Sequence, residues 1–178
     1  TVNAGKALAV HATDGSIGWT PEQIRDLNYA ASFTANNANL DLDTSLTSMV
    51  MPYDLTNRMG LIKRGSGTLT LAGTNARGTS DTRVYGGELV INGDGAHKYG
   101  MLLTTTANLT ITNATGMSLD VTNTSSYFAD SAGNWSVIRI GGKTAWNAYM
   151  QPYDQAQGTF FVGQRSKAVL HLTDDASV

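Results

Sequence analysis

Two carboxylates, Asp41 and Asp43, alternate with Leu40 and Leu42. On a strand both would face the same side, roughly 6.5–7 Å apart. Paired acids at that separation serve inverting glycosidases, one as general acid and one as general base. The same spacing also describes a plain solvated strand face, and no third acid or basic partner stands nearby in the sequence. His11, His97 and His171 are isolated and lack the spacing of metal ligands. His171 lies between Leu170 and Leu172, which points it outward. No serine sits in a nucleophile elbow: Gly65-Ser66-Gly67 lacks the strand-to-helix turn that a nucleophile needs. The glycine-rich stretches do not lead into a helix, which disfavours a phosphate cradle. Gly93-Asp94-Gly95 resembles a calcium-binding turn, but the nonapeptide pattern does not continue, so it reads as a plain turn. These observations point to no catalytic residue, no metal and no cofactor.

Aromatic residues gather in the second half. Tyr127, Trp135, Trp146, Tyr149 and Tyr153, with Phe128, could form a contact surface that stacks on sugar rings or meets another protein. The bland reading is that the loop around Trp146 packs its own aromatics. Asn108, Asn113, Asn123 and Asn134 each begin an Asn-x-Ser/Thr triplet. In a chain rich in Asn and Thr such triplets fit turns and stacked Asn ladders, and they matter as sugar acceptors only in a glycosylating host.

The elements that position these residues follow from an internal repeat. Apolar residues stand at i and i+2 in Leu40-Asp41-Leu42, Leu69-Thr70-Leu71, Leu89-Val90-Ile91, Leu109-Thr110-Ile111, Leu119-Asp120-Val121, Ile138-Arg139-Ile140 and Leu170-His171-Leu172. That is the period of a strand with one buried face. From Leu69 to Leu89, and from Leu89 to Leu109, the spacing is 20 residues. A short strand cannot bury its own apolar face, whereas copies stacked at a regular spacing make a continuous column. The expected fold is therefore all-β: a right-handed parallel β-helix, or solenoid, occupying residues 1–178 as a single segment. A β-sandwich would also give short alternating strands, but not the regular spacing.

One segment departs from this pattern. Thr20-Pro21-Glu22-Gln23 has the marks of a helix start: a Thr cap, Pro at the first position and Gln three residues after the cap. It predicts a short amphipathic helix at about 20–32, with Ile24, Leu27 and Ala31 on one face. Residues 44–60 and 142–158, which contain Pro52 and Pro152, read as loops protruding from the stack.

Composition agrees with strands and turns. The 178 residues include 19 Gly and no Cys, and Glu occurs only at positions 22 and 88. Without Cys there is neither a disulfide nor thiolate chemistry. Charged residues are 15% and the net charge is −2, so no basic patch suggests nucleic acid. No stretch has the apolar length of a membrane-spanning helix. Any membrane attachment is therefore expected through other parts of a parent chain. Thr1 falls in what reads as mid-strand and Val178 just after a strand, so the chain reads as a fragment of a longer repeat protein.

The stretch from Leu61 resembles the autotransporter-associated β-strand repeat, at about residues 61–89. Leu61, Lys63, Gly65, Gly67, Leu69, Leu71, Gly73 and Asn75 match its first part, and Gly78, Thr82, Val84, Gly87 and Leu89 its second. The aromatic usual after the Asn is missing, and Arg77 stands near its place. Val2-Asn3-Ala4-Gly5 resembles the tail of a preceding copy. The resemblance implies a passenger-type β-helix, export, and a place at the bacterial cell surface, outer membrane or outside the cell. It carries no catalytic residues. Gly65, Gly67 and Gly73 are expected where the chain turns tightly between faces. The leading expectation is a structural or adhesive stalk whose partner is a host surface or a glycan. Two other classes stand beside it: a module that self-associates end to end into a filament or layer, and a polysaccharide-active enzyme.

Overall fold

The computed structural model describes residues 1–13, 15–32, 38–55, 59–73, 82–92, 101–103, 107–112, 118–120, 126–128, 135–141, 147–149, 160–162 and 167–173. These are mostly strands in two parallel sheets, with one short helix. In chain order the elements are β1 (Ala7–His11), α1 (Pro21–Ala30), β2 (Asn39–Asp43), β3 (Met49–Met51), β4 (Gly60–Arg64) and β5 (Thr68–Leu71). There follow β6 (Thr82–Val84), β7 (Glu88–Asn92), β8 (Met101–Leu103), β9 (Asn108–Thr112) and β10 (Ser118–Asp120). The last are β11 (Ser126–Phe128), β12 (Trp135–Gly141), β13 (Asn147–Tyr149), β14 (Phe160–Val162) and β15 (Lys167–Leu172).

Seven strands form one sheet in the order β1-β2-β4-β6-β8-β11-β14, and six form the other in the order β15-β12-β9-β7-β5-β3. Strands β10 and β13 make a separate pair. Neighbours within a sheet are not successive in the chain. From β2 to β9 the chain crosses from one sheet to the other at every step, and each strand pairs in parallel with the strand two along.

The alternating apolar units supply the reason for this register. In the six-stranded sheet Met49, Leu69, Leu89, Leu109, Ile138 and Leu170 stand directly opposite one another in one row. The 20-residue spacing keeps Leu69, Leu89 and Leu109 aligned, and the row continues to Ile138 and Leu170 across longer connections. The first five are buried, with Met49 at 4% exposure and the others at 0%. Each such Leu or Ile stabilises the fold by roughly 1.5–3 kcal/mol. The seven-stranded sheet supplies the matching rows. Leu8, Leu40, Leu61 and Thr82 are aligned, as are Val10, Leu42, Lys63 and Val84. Residues of both sheets meet in one hydrophobic cluster.

Helix α1 starts as its sequence requires. The Thr20 hydroxyl accepts from the Gln23 N–H, and the Gln23 side chain accepts from the Thr20 N–H, which completes a capping box. The helix follows β1 at the point where β3 follows β2, and it packs against β3, the edge of the six-stranded sheet. Ile24 is fully buried there, and Leu27 and Ala31 are packed against the core. Asn28 is also buried, so the inward face is broader than the apolar spacing alone indicates. The Tyr53 hydroxyl donates to Glu22 at 2.9 Å, and Arg25 lies 4.5 Å over the Tyr53 ring. Thus α1 covers the core at its β3 end. At the opposite edge, Leu170 and Leu172 of β15 are 38% and 50% exposed.

The described residues of the stretch 44–60 are not a protruding loop. They contain β3, and Leu55 and Met59 are fully buried. The expectation missed Met49-Val50-Met51 because its apolar pair is methionine, yet these two side chains continue the rows of Leu69 and Leu71. Within 142–158, Asn147–Tyr149 is a strand that pairs with Ser118–Asp120, and the other residues lie outside those described. The glycine expectations divide. Gly65 has a positive φ of 82°. Gly73 does not, and is needed for close approach instead, since a Cβ there would stand 2.6 Å from the Tyr53 carbonyl carbon.

Candidate functional site

Strand β4 presents two adjacent cations to opposite faces, because successive side chains of a strand alternate. Lys63 falls in the inward row between Leu42 and Val84 and is fully buried. Its Nζ donates to the carbonyl oxygens of Gly65 at 2.7 Å, Gly67 at 2.5 Å and Gly86 at 2.6 Å. An ammonium has three donors, so all are used. Gly65 and Gly67 belong to the turn between β4 and β5, and Gly86 to the turn between β6 and β7. Lys63 therefore ties two stacked turns together from inside. Burial pulls its pKa from 10.5 down to about 8, against the opposing pull of Asp43 and Glu88. Gly87 is part of the same device. It has a positive φ of 62°, and a Cβ there would meet the Gly67 carbonyl and lie 2.5 Å from the Lys63 Nζ.

Arg64 takes the other face. It stands in register with Asp43 of β2 and, through it, with His11 of β1. Its Nε donates to Asp41 Oδ2 at 2.7 Å, and its guanidinium lies 4.7 Å over the Tyr85 ring. The hydrogen bond to Asp41 holds the guanidinium pKa above its ordinary value. Asp43 Oδ2 is 3.4 Å from His11 Nδ1, and Asp43 Oδ1 accepts from the Ser45 N–H at 2.8 Å. Together Ala9, Val10, His11, Asp41, Asp43 and Arg64 line a cleft of about 220 Å³. Asp41 is only 5% exposed, and its Oδ1 is buried with no hydrogen-bond partner.

The solvated, unassisted pair expected at Asp41 and Asp43 is thus corrected. Asp41 is buried and bound to Arg64, which stands 23 residues further along the chain. Proximity in sequence could not reveal this partner, because parallel neighbours are separated by a full crossing to the other sheet. His11, Arg64 and Lys63 were missed for that reason. The motif position of Lys63 was a signal for importance but not for direction.

The aromatic candidates are placed only in part. Tyr127 and Phe128 lie in β11, Trp135 in β12 and Tyr149 in β13, so the backbone distributes them over three sheets. Trp146 and Tyr153 lie outside the described residues, as does His97. His171 is exposed and stands opposite Arg139. Of the triplet asparagines, Asn108 has a structural part: its Oδ1 accepts from the Val137 N–H of the next strand at 3.1 Å. Among the described residues no group of three or more acidic or histidine side chains could hold a metal ion. No described helix is long and apolar enough to cross a membrane. No family model, curated protein or solved structure matches the chain.

Proposed function

We propose that this chain is a segment of a right-handed parallel β-helix, and that it serves as a structural and adhesive stalk of a bacterial surface or secreted protein of the autotransporter type. The supporting observation is the in-register row from Met49 to Leu170, built by parallel strands that pair two along the chain from β3 to β9 and three along from β9 to β15. Crossover connections between parallel strands of one sheet are right-handed in nearly all proteins, which supports the hand. The pin formed by Lys63, Gly65, Gly67 and Gly86 falls on positions of the repeat that the stretch 61–89 resembles, or next to one. It gives those positions a structural purpose, as a stalk requires. The paired acids Asp41 and Asp43 lend the enzyme reading less support, since Asp41 is committed to Arg64.

The end-to-end reading keeps one specific observation in its favour. The apolar rows reach solvent at Leu170 and Leu172. At the β3 end α1 covers them, so association through two equivalent ends is disfavoured.

Small-angle scattering tests the architecture. An elongated particle is expected, and deleting one 20-residue period, residues 69–88, should leave a cooperative fold shorter by about 4.8 Å. A compact particle, or a deletion variant that cannot fold, would count against the solenoid. Export and display are tested by placing the chain between an outer-membrane anchor and an epitope. Failure of an antibody to reach the epitope on intact cells would sink the stalk role.

A further inference from the structure

The cleft on the outer face of β1, β2 and β4 has features that the stalk reading does not use. A buried carboxylate oxygen normally has a donor, because leaving it without one costs free energy. Asp41 Oδ1 is buried and has none, although Asp41 lines a cleft. Beside it stand His11, Asp43 and Arg64, contributed by three neighbouring strands held in register. Arg64 is kept in place by its hydrogen bond to Asp41 and by the Tyr85 ring.

Charge narrows the ligand class. Asp41 is paired with Arg64 at 2.7 Å, and Asp43 lies 3.4 Å from His11, so each carboxylate already faces a partner of its own. A phosphate or carboxylate would meet two carboxylates, and an ammonium or metal cation would meet the guanidinium. A neutral molecule that both gives and accepts hydrogen bonds meets neither penalty. It can donate to the remaining lone pairs of Asp43, and accept from the Arg64 guanidinium and His11. Ala9, on the outward face of β1, offers an apolar side to the same cleft. A volume of about 220 Å³ falls below the roughly 300–1,000 Å³ of pockets for drug-sized ligands, which limits the ligand to about one ring.

We propose that the cleft formed by Ala9, Val10, His11, Asp41, Asp43 and Arg64 is a binding subsite for one neutral sugar ring, alone or at the end of a glycan. It needs only β1, β2 and β4 side by side, so it is independent of the stalk reading.

Isotope-labelled protein is titrated with neutral hexoses, a uronic acid, a hexosamine and guanidinium while its amide resonances are followed. Saturable shifts at Ala9, His11, Asp41, Asp43 and Arg64 are expected with at least one neutral hexose. Asp43→Asn should weaken binding about tenfold, the effect of losing one charge-assisted hydrogen bond. His11→Ala should weaken it severalfold. Its side chain is 55% exposed, so this variant keeps the test intact if Asp43→Asn fails to fold. Three results would overturn the site: no saturable shift with any neutral hexose, shifts confined to other residues, or unchanged affinity in His11→Ala. Saturation by the charged compounds alone would also overturn it. None of these outcomes bears on the particle shape that tests the solenoid.

Discussion

Lys63 and Arg64 are neighbours in one strand, yet their surroundings differ in kind. Lys63 is fully buried and spends its three donors on backbone carbonyls of two turns. Arg64 is half exposed, and its Nε is held by one carboxylate that keeps an unsatisfied oxygen. The inner cation is fixed by the main chain, which cannot rearrange without moving two turns. The outer cation is held by side chains, which can exchange partners. On β4 the roles therefore divide by face: the inward cation ties two turns together, and the outward cation lines a cleft.

Replacing the inner cation should have the largest effect. Lys63→Met keeps the length of the side chain but takes the ammonium donor from the carbonyl oxygens of Gly65, Gly67 and Gly86, of which Gly67 keeps the Glu88 N–H at 3.4 Å. At about 1–3 kcal/mol for each unsatisfied group, a loss of about 3 kcal/mol or more is expected in urea unfolding. A loss near zero would mean that the carbonyls find other donors, and would end the contrast between the faces.

Gly87→Ala attacks the same device from the turn. A residue held at positive φ costs about 1–3 kcal/mol, and the added Cβ would press on the Gly67 carbonyl and the Lys63 Nζ. A stability loss of about 2 kcal/mol is expected. An effect below about 0.5 kcal/mol, the range of ordinary surface substitutions, would show that the turn can open without cost.

The inner cation also predicts a pH effect of definite sign. Below pH 8 Lys63 is protonated in both the folded and the unfolded chain. Between pH 8 and 10.5 the unfolded chain keeps a proton that the folded chain has released. Stability from this group must then rise with pH across that window, by up to about 1.4 kcal/mol per unit. The difference between the native protein and Lys63→Met isolates it from other titrating groups. Parallel stability curves for the two proteins would refute it.

The outer face should respond more weakly and unequally. Arg64→Ala leaves Asp41 buried with its charge unpaired, and is expected to cost about 2 kcal/mol. Asp41→Ala removes the buried acceptor and releases an arginine that is half exposed, so a cost below about 1 kcal/mol is expected. Equal costs from thermal or urea unfolding would indicate that Asp41 is hydrated in solution.

Much of the strand pattern was legible from residue type. The seven alternating apolar units all fall within strands or reach into one, since one-sided burial demands a period of two. Thr20, Pro21 and Gln23 announced the helix because capping is satisfied within a few residues. The β3 strand was missed where methionine replaced the usual aliphatic residues. The cleft was only half visible: Asp41 and Asp43 stood out, while His11 and Arg64 did not, because nothing local links them.

Local hydrogen bonding and the period of burial are short-range properties, so the chain's own order determines the helix start, the strand positions and the aligned row through Leu69, Leu89 and Leu109. Which polar groups meet is a different matter. Lys63 finds Gly86 at a separation of 23 residues, and Arg64 finds Asp41 at the same separation. Those distances are one crossing to the other sheet and back, and they become contacts only when parallel neighbours lie side by side. The pleat then sends Lys63 inward and Arg64 outward, so tertiary register decides that one cation pins the stack and the other lines a cleft.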